Sequence, residues 1–546
     1  MSLSALFDIG KTGVLNYQKA LEVVSHNIAN SATEGYTRQD VIFQNMPSGT
    51  LSVRGVTGRG VKLQDIRRMY DSFIELQLKT ESSNLGYWDV VYNGMLRLES
   101  IFNDSSDTAL SKSINDFFNA WQEISQNPSG TAERTLLLDK ANYLAKRVNL
   151  SYKSLIDERA ELYTDTKNLI DQINKYLDQI NELNEKIASS PGSLDALDQR
   201  ENLVKQLNDI VQINYFEDNA GRYSILLGGM PMVDGGKVYH LSVNLDVNQN
   251  MQFNLETGSG TINVTQLIQG GKLKAEIDLR DEVIPEYMNK LNMFVFDFTE
   301  AINGLHRRGY GLDGSTGSNF FTQLYDLNTT SGSFGDIQFK INQVNANTYD
   351  SFSVQFDGTN WTVTNNTTGL PITPVVSSWV DGTDTYYKLS FNDMEVTFKN
   401  PTNNLDLDYQ IKSNTAFLFS LNINNINKIA AAKADPTSPT SGDMDNENAR
   451  AIYALVDSKI IGSSTATDYY RSIVSQIGVY TASANTQKSF QSSLVDELQK
   501  RRQDISGVSL DEEAVNLVKY QKMYEASARV IRVADEILAT LFDMVR

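Results

Sequence analysis

The sequence predicts a mainly α protein with inserted β domains: coiled-coil-type helices at both termini, a long rod-like helical bundle, and antiparallel β domains set into it. Three observations predict this. Apolar residues recur at every seventh position at both ends of the chain. Residues 131–190 contain no proline and keep a helical period. Two central blocks switch to a period of two between glycine-rich turns.

At the start, Phe7, Val14, Leu21 and Ile28 are seven apart, and Leu3, Tyr17 and Val24 fill a second seam position. Gly10 stands where that second set lacks an apolar residue; a helical glycine costs roughly 1 kcal/mol relative to alanine. The helix stops in SHNIANSATEGYTRQD, Ser25 to Asp40, where Asn27, Asn30, Ser31, Thr33 and Gly35 cluster. Gly35 suits a turn that a side chain would hinder. The Asn and Ser side chains suit helix-end backbone groups. Residues 40–68 read as extended chain with turns at Gly55, Gly58 and Gly60.

Helical patterning resumes near Ser72 and runs to about Ile124, with breaks near Asn103 and at Asn127–Pro128. In the 131–190 stretch Leu169, Ile173, Tyr176, Ile180, Leu183 and Ile187 alternate spacings of four and three. A helix of that length spans about 90 Å at ~1.5 Å per residue, the mark of a rod. Pro191–Gly192 ends it, and SLDALDQRENLVKQLNDIV starts a helix running back. From Gln212 the pattern is strand-like, residues 276–310 are helical again, and residues 318–415 form a second strand-rich block. There DIQFKI, SFSVQF, WTVTN, YYKLSF and MEVTFK suggest an antiparallel sandwich or barrel. Pro436–Asn448 is a loop by composition, and the rest reads as helix. Ser509-Leu-Asp-Glu512 has capping-box spacing. Leu510, Leu517, Tyr524, Ile531, Leu538 and Val545 then continue the seven-residue repeat.

These patterns divide the chain into terminal helical segments 1–39 and 506–546, a discontinuous rod-like helical domain of 40–215, 276–317 and 416–505, a β subdomain of 216–275 and a β domain of 318–415. The length of 546 residues agrees with two to four domains.

Composition excludes several function classes. With 67 acidic and 48 basic residues the net charge is −19, which disfavours nucleic acid and anionic membrane surfaces as partners. No apolar run is long enough to span a bilayer, and the N-terminus lacks the pattern of a cleaved secretory signal. Cysteine is absent, which removes disulfides and thiol chemistry.

No catalytic constellation emerges, and no cofactor or metal site is expected. Residues Ala5 to Thr12 miss a phosphate loop by their first glycine and fall inside the helical repeat. His26, His240 and His306 are too far apart in sequence for a zinc motif, and His26 reads as a local helix-end contact. Asp443-Met-Asp445-Asn-Glu447 lacks the glycine and distal glutamate of a calcium loop. The acid pairs Asp281–Glu282 and Glu512–Glu513 fit helix starts. Trp361, Tyr386 and Tyr387 suit either sugar stacking or a core.

The terminal helices are the informative feature. Their apolar seams are too slight to order two helices alone. The expectation is that they are mobile in the monomer and ordered when neighbouring subunits bury them; an intramolecular helical hairpin is the alternative.

At this point the sequence resembles a known family. SHNIANSATEGYTRQ and, from Ser506, SGVSLDEEAVNLVKYQKMYEASARVIRVADEILATLFDMV are similar to the two end signatures of the rod, hook and filament axial proteins of the bacterial flagellum. GYTRQ with Arg38, VKLQDIRRMYDSF, GGKLKAEIDLRDEVIPEYMNKLN and GDMDNENARAIYALVD resemble the hook–filament junction members of that family. The resemblance implies a non-enzymatic structural subunit, exported through the flagellar type III apparatus without a cleaved signal and polymerising outside the cell. It implies as partners further copies of itself, the hook protein, a second junction protein and an export chaperone. Subunit assembly would fall to Leu21, Val24 and Ile28 and to Leu517, Tyr524, Ile531 and Leu538; the helix-end motif would be Asn27, Asn30, Gly35, Tyr36 and Arg38. The terminal helices would line an inner tube and the β domains would face outward. A hook or distal-rod subunit, or an adhesive glycan-binding outer β domain, are the alternatives.

Overall fold

The structure, a computed structural model, describes residues 3–46, 60–103, 109–190, 192–258, 260–438 and 444–545. Gly55 and Gly58 of the extended connector, Pro191 and Asp443 lie outside these residues. In chain order the first elements are α1 (Leu3–Ala29), β1 (Gln39–Asn45), β2 (Val61–Arg68), α2 (Ser72–Ile101), α3 (Leu110–Gln126), α4 (Thr131–Ser189) and α5 (Leu194–Ile210). Seven short strands follow: β3 (Asn214–Glu217), β4 (Tyr223–Leu227), β5 (Met230–Asp234), β6 (Lys237–Val238), β7 (Leu241–Leu245), β8 (Met251–Thr257) and β9 (Gly260–Asn263). Then come α6 (Gly271–Asp278), a π-helical turn at Leu279–Val283, and α7 (Ile284–His306). The second strand block holds β10 (Tyr325–Ser331), β11 (Asp336–Ile341), β12 (Ser351–Phe356), β13 (Trp361–Asn365), β14 (Leu370–Ile372), β15 (Val375–Asp381), β16 (Asp384–Phe391), β17 (Met394–Lys399) and β18 (Leu405–Ile411). The chain closes with α8 (Thr415–Leu418), α9 (Glu447–Tyr453), α10 (Ala466–Ser506) and α11 (Leu510–Val545).

The chain forms two compact units. The first is Met1–Val90, Asp165–Glu276 and Asn485–Arg546; the second is Val91–Thr164 and Ile277–Ala484. In the first, β1 and β2 pair antiparallel beside α1. The sheets β3-β4-β5-β6 and β7-β8-β9 lie beyond α5 in sequence. Lys79 is buried and bonded to Glu201 at 2.9 Å and to the Tyr215 hydroxyl at 2.5 Å. Coulombic attraction from Glu201 and Tyr215 raises its pKa against the opposing effect of burial.

In the second unit α7 is the centre. Every residue from Leu291 to Glu300 is buried. Phe298 meets Phe117, Phe118, Phe294, Phe321 and Phe419 with ring centroids 5.5–6.2 Å apart. Such aromatic contacts add to area burial when rings are offset or tilted. The 318–415 block is a sandwich: a five-stranded sheet, β10-β18-β12-β13-β14, faces a four-stranded one, β11-β17-β16-β15. Rings from the two sheets interdigitate, with Trp361 5.0 Å from Phe398 and Phe352 5.6 Å from Phe391.

Several expectations need correction. The buried line along α4 runs through Ile170, Ile173, Leu177, Ile180 and Ile187. Leu169, Tyr176 and Leu183 are only half-buried flanks. Asn184, a polar residue, is also buried on that line and holds the Tyr223 backbone through both amide atoms, at 2.8 and 2.9 Å. The chain after the 436–448 loop is not helical throughout, since residues 458–465 separate α9 and its 3-10 continuation from α10. Trp361 and Tyr386 are buried, and Tyr387 is half-buried against Trp361 and Phe356, so none forms an open sugar platform.

Candidate assembly surface at the chain ends

The terminal helices α1 and α11 pair along their length within one chain. Gly10 and Gly13 make this approach possible. A Cβ on Gly10 would lie 2.6 Å from Ile531 Cγ1 and 3.1 Å from the Ser527 carbonyl oxygen; one on Gly13 would collide with the Ser527 side chain. Gly10 is therefore not a gap in the seam. It is the floor on which Ile531 rests, a role the seven-residue count could not show.

Nearer the elbow the pair gains a core of Ala20, Val23, Val24, Val41 and Tyr520, flanked by Tyr17, Leu21, Ile28, Phe43, Leu63, Leu517 and Met523. Tyr17, Phe43 and Tyr520 form an aromatic triangle with centroids 5.5–6.4 Å apart. Of the expected assembly residues, Val24 is thus buried, and Leu21, Ile28, Leu517, Tyr524, Ile531 and Leu538 are half-buried. Leu21, Val24, Ile28 and Leu517 come together in this one cluster.

The helix stop is built around Asn27. Its Oδ1 accepts from the Gln39 amide at 3.0 Å and from the Tyr36 hydroxyl at 2.8 Å. Its Nδ2 donates to the Gln39 carbonyl at 2.9 Å and to Glu513 Oε2 at 3.2 Å. Both donors and both acceptor sites of the amide are used, so one buried side chain ties α1 to β1 and to the first turn of α11. Arg38 completes the tie: Nη1 donates to Glu512 at 2.6 Å, Nε to Glu513 at 3.1 Å, and its amide to the Ser506 carbonyl at 2.9 Å. The capping box is accordingly half-formed. Ser509 Oγ accepts from the Glu512 amide at a long 3.4 Å, while the Glu512 carboxylate turns to Arg38.

Asn30 ends α1 by donating to the His26 carbonyl from both its amide and its side chain. Gly35 has φ +81°, where a side chain is strained, and faces Asn202 of α5. Tyr36 accepts from His26 Nδ1 at 3.1 Å. Burial, then the charges of Asp195, Asp198 and Glu513, push its phenol well above the usual range, so it remains a hydrogen-bond donor. His26 is not only a local contact: besides Tyr36 it reaches Asp195 of α5, with Nε2 3.5 Å from Oδ2. The loop Ser31–Thr37 also lines a polar cavity of about 320 Å³ with Tyr70, Glu75, Glu201 and Arg502.

Sequence reasoning missed Asp198, which accepts from the Thr37 amide at 2.9 Å and pairs with Arg68 at 2.9 Å. It also missed Asn16, which brackets β2 at Val61 and Leu63. Neither carries a sequence signal, because each works by meeting backbone far along the chain.

The larger omission is the other face of α11. Val515, Val533, Ile537 and Met544 are exposed. They fall within about 40° of one another and about 100–160° around the helix from Tyr520 and Ile531. They form an apolar stripe that α1 does not cover. Among the described residues no helix is long and apolar enough to cross a membrane, and no group of three or more His, Cys, Asp or Glu could hold a metal.

Paired terminal helices, long internal helices and inserted β domains fit an axial protein of the flagellum, and the comparisons agree. The family model described as flagellar basal body rod FlgEFG protein C-terminal matches residues 502–544, and that of the flagellar hook-associated protein FlgK helical domain matches residues 95–321. Flagellar hook-associated protein 1 of Salmonella typhimurium is 30% identical over 99% of this chain and 100% of its own; that of Escherichia coli is 29% identical over the same shares. The flagellar hook junction protein FlgK of Burkholderia pseudomallei shares the fold, with a TM-score of 0.60 at 17% identity over 79% of this chain and 100% of that one. The chain belongs to the flagellar hook-associated protein 1 family.

Proposed function

We propose that this chain is a non-catalytic structural subunit of the flagellar hook–filament junction, and that the paired terminal helices are its polymerising element. The exposed stripe Val515, Val533, Ile537 and Met544 carries the reading. The exposed apolar residues Val533, Ile537 and Met544, with Val515 on the same side beyond Lys519 and Lys522, need a cover on an otherwise paired helix, and neighbouring subunits of a tubular assembly supply one. The segments 1–39 and 506–546 are then the inner layer, the rod-like helices the next, and the 216–275 and 318–415 blocks the outer parts. The seam residues Leu21, Val24, Ile28, Leu517, Tyr524, Ile531 and Leu538 hold the hairpin that presents the stripe, and Asn27, Asn30, Gly35, Tyr36 and Arg38 set its elbow. Hook protein at one end, a second junction protein at the other, and an export chaperone before assembly are the partners this role requires. The lack of cysteine fits a chain that crosses compartments without cross-linking, as many other proteins without cysteine would too.

The double variant Val533→Asp/Ile537→Asp tests this. Exposed substitutions change the stability of the free chain by only about ±0.5 kcal/mol each. The variant is expected to fold normally yet be absent from isolated hook–filament structures, where labelled wild type marks the distal end of the hook. Full incorporation of the variant, or a wild-type label along the whole hook, overturns the proposal.

A further inference from the structure

The second compact unit exposes two apolar patches that its own packing leaves open. One is the sandwich edge. β14 is the edge of the five-stranded sheet and β15 the edge of the four-stranded sheet. Every residue of β15 is exposed. In the β15–β16 register Val376 lies beside Leu389 and Val380 beside Thr385. Leu389 is fully buried, so Val376 and Val380 point toward the sandwich side. They stay open because β15 overhangs the sandwich. On its other face Trp379 stacks on Tyr386 at 5.2 Å and remains 45% exposed. A long apolar edge of this kind pairs indiscriminately unless something covers it. Between residues 370 and 384 the charged groups are Asp381 and Asp384. Lys399 holds Asp384 at 2.7 Å, which leaves Asp381; Lys433, near Asp381, is held by Glu447 at 3.0 Å.

The other patch lies on α4. Leu136, Tyr143 and Leu150 are exposed at seven-residue spacing, within about 40° on the helix surface. Exposed Phe417 adjoins them, its carbonyl accepting from Asn149 at 3.1 Å. Lys146, Arg147 and Lys153 border Tyr143 and Leu150, with Asp139 and Asp157 toward the ends. Lys140 is already paired with Asp116 at 2.8 Å.

We infer that these patches bind each other between copies of this chain, the α4 stripe of one copy taking the overhanging β14–β15 edge of the next. The two patches differ in sign: Lys146, Arg147 and Lys153 border the α4 stripe, and Asp381 lies at the end of the β15 edge. Against each other, both the apolar faces and the charges match. Trp379 and Tyr143 are residue types that anchor interfaces. A contact between two different patches is heterologous, and it repeats from copy to copy without closing into a dimer. The inference rests on the self-assembly reading above and adds to it a second contact, outside the terminal helices.

Because the chain has no cysteine, Tyr143→Cys and Val380→Cys introduce the only thiols. Flagella are isolated from cells whose sole copy of the protein carries both, oxidised with copper phenanthroline and run under denaturing conditions. The expected result is a ladder at integer multiples of the chain mass, missing from either single variant. An incorporated double variant without a ladder, a dimer from a single variant, or an adduct of another mass overturns the inference. Absence of even wild-type protein from the isolated structures would instead count against the self-assembly reading. Should the cysteine variant not incorporate, Lys146→Glu/Lys153→Glu is expected to lower incorporation at least tenfold, and Asp381→Lys in the same chain to restore it. No fall, or no restoration, likewise overturns it.

Discussion

Helices α7 and α11 are both rich in apolar residues, yet one is finished within the chain and the other is not. On α7 burial extends all round, from Leu291 to Glu300, which is the condition for a helix apolar on every face. On α11 the buried residues among the described side chains are Glu513, Tyr520 and Ala534. Its seam is half-covered by α1 and its far stripe is open. The two helices therefore differ in how much of each circumference the chain itself covers, more than in composition.

Truncation of the α7 core should give the largest effect. Phe298→Ala is expected to cost about 3–5 kcal/mol in urea unfolding, while hydrogen exchange in α1 and α11 stays at the wild-type rate. Equal loss of protection in α11 would erase the distinction between the two helices.

The second effect is pH-dependent and belongs to α7. Burial drives the Glu300 carboxyl up to about 7, and it also raises Asp297 well above its ordinary value. A raised carboxyl gives stability that is complete below its unfolded pKa of 4.5 and is lost as pH rises through about 7. The loss amounts to about 3 kcal/mol at ~1.4 kcal/mol per pKa unit. Glu300→Gln should remove this decline, read as the wild-type-minus-variant difference in unfolding free energy from pH 4 to 8; a flat difference refutes it. His306 works in the opposite sense. Burial lowers it to about 4, and its neutral ring accepts from the Ala430 amide at 2.9 Å while donating to the Ser318 carbonyl at 2.7 Å. Its contribution is present above pH 6.5 and is lost as pH falls through about 4.

The smallest effect is the sharpest on α1. Helix propensity alone says that Gly10→Ala stabilises by roughly 1 kcal/mol. The contact with Ile531 and the Ser527 carbonyl says that it destabilises by about 1–3 kcal/mol through overpacking. Thermal unfolding, with exchange read at α11, decides by sign.

Much of the fold is legible in the sequence because it depends on periodicity. The 59-residue α4 follows from an unbroken helical pattern without proline, and β11, β12, β13, β16 and β17 follow from alternation. The overhanging β15 is not legible, since Val375 to Asp381 carries strand-forming residues on both faces and only pairing decides which face is open. Nor are Asn27 and Asn184, buried polar residues that a count of apolar positions passes over. At the chain ends the seam residues could be named, but their partner could not. Gly10 looks like a defect until Ile531 is placed above it, and the open stripe of α11 becomes visible only once α1 has taken the other face.

The amide of Asn27 also joins segments far apart in the chain. Its bond to Glu513 spans 486 residues of chain, and Arg38 reaches the same first turn of α11. Neither bond can close until α1 and α11 are in the same place, and closing so long a loop carries an entropic cost that the paired helices must offset. The elbow therefore closes only where α1, β1 and α11 meet, and loss of either helix removes the tie from the other.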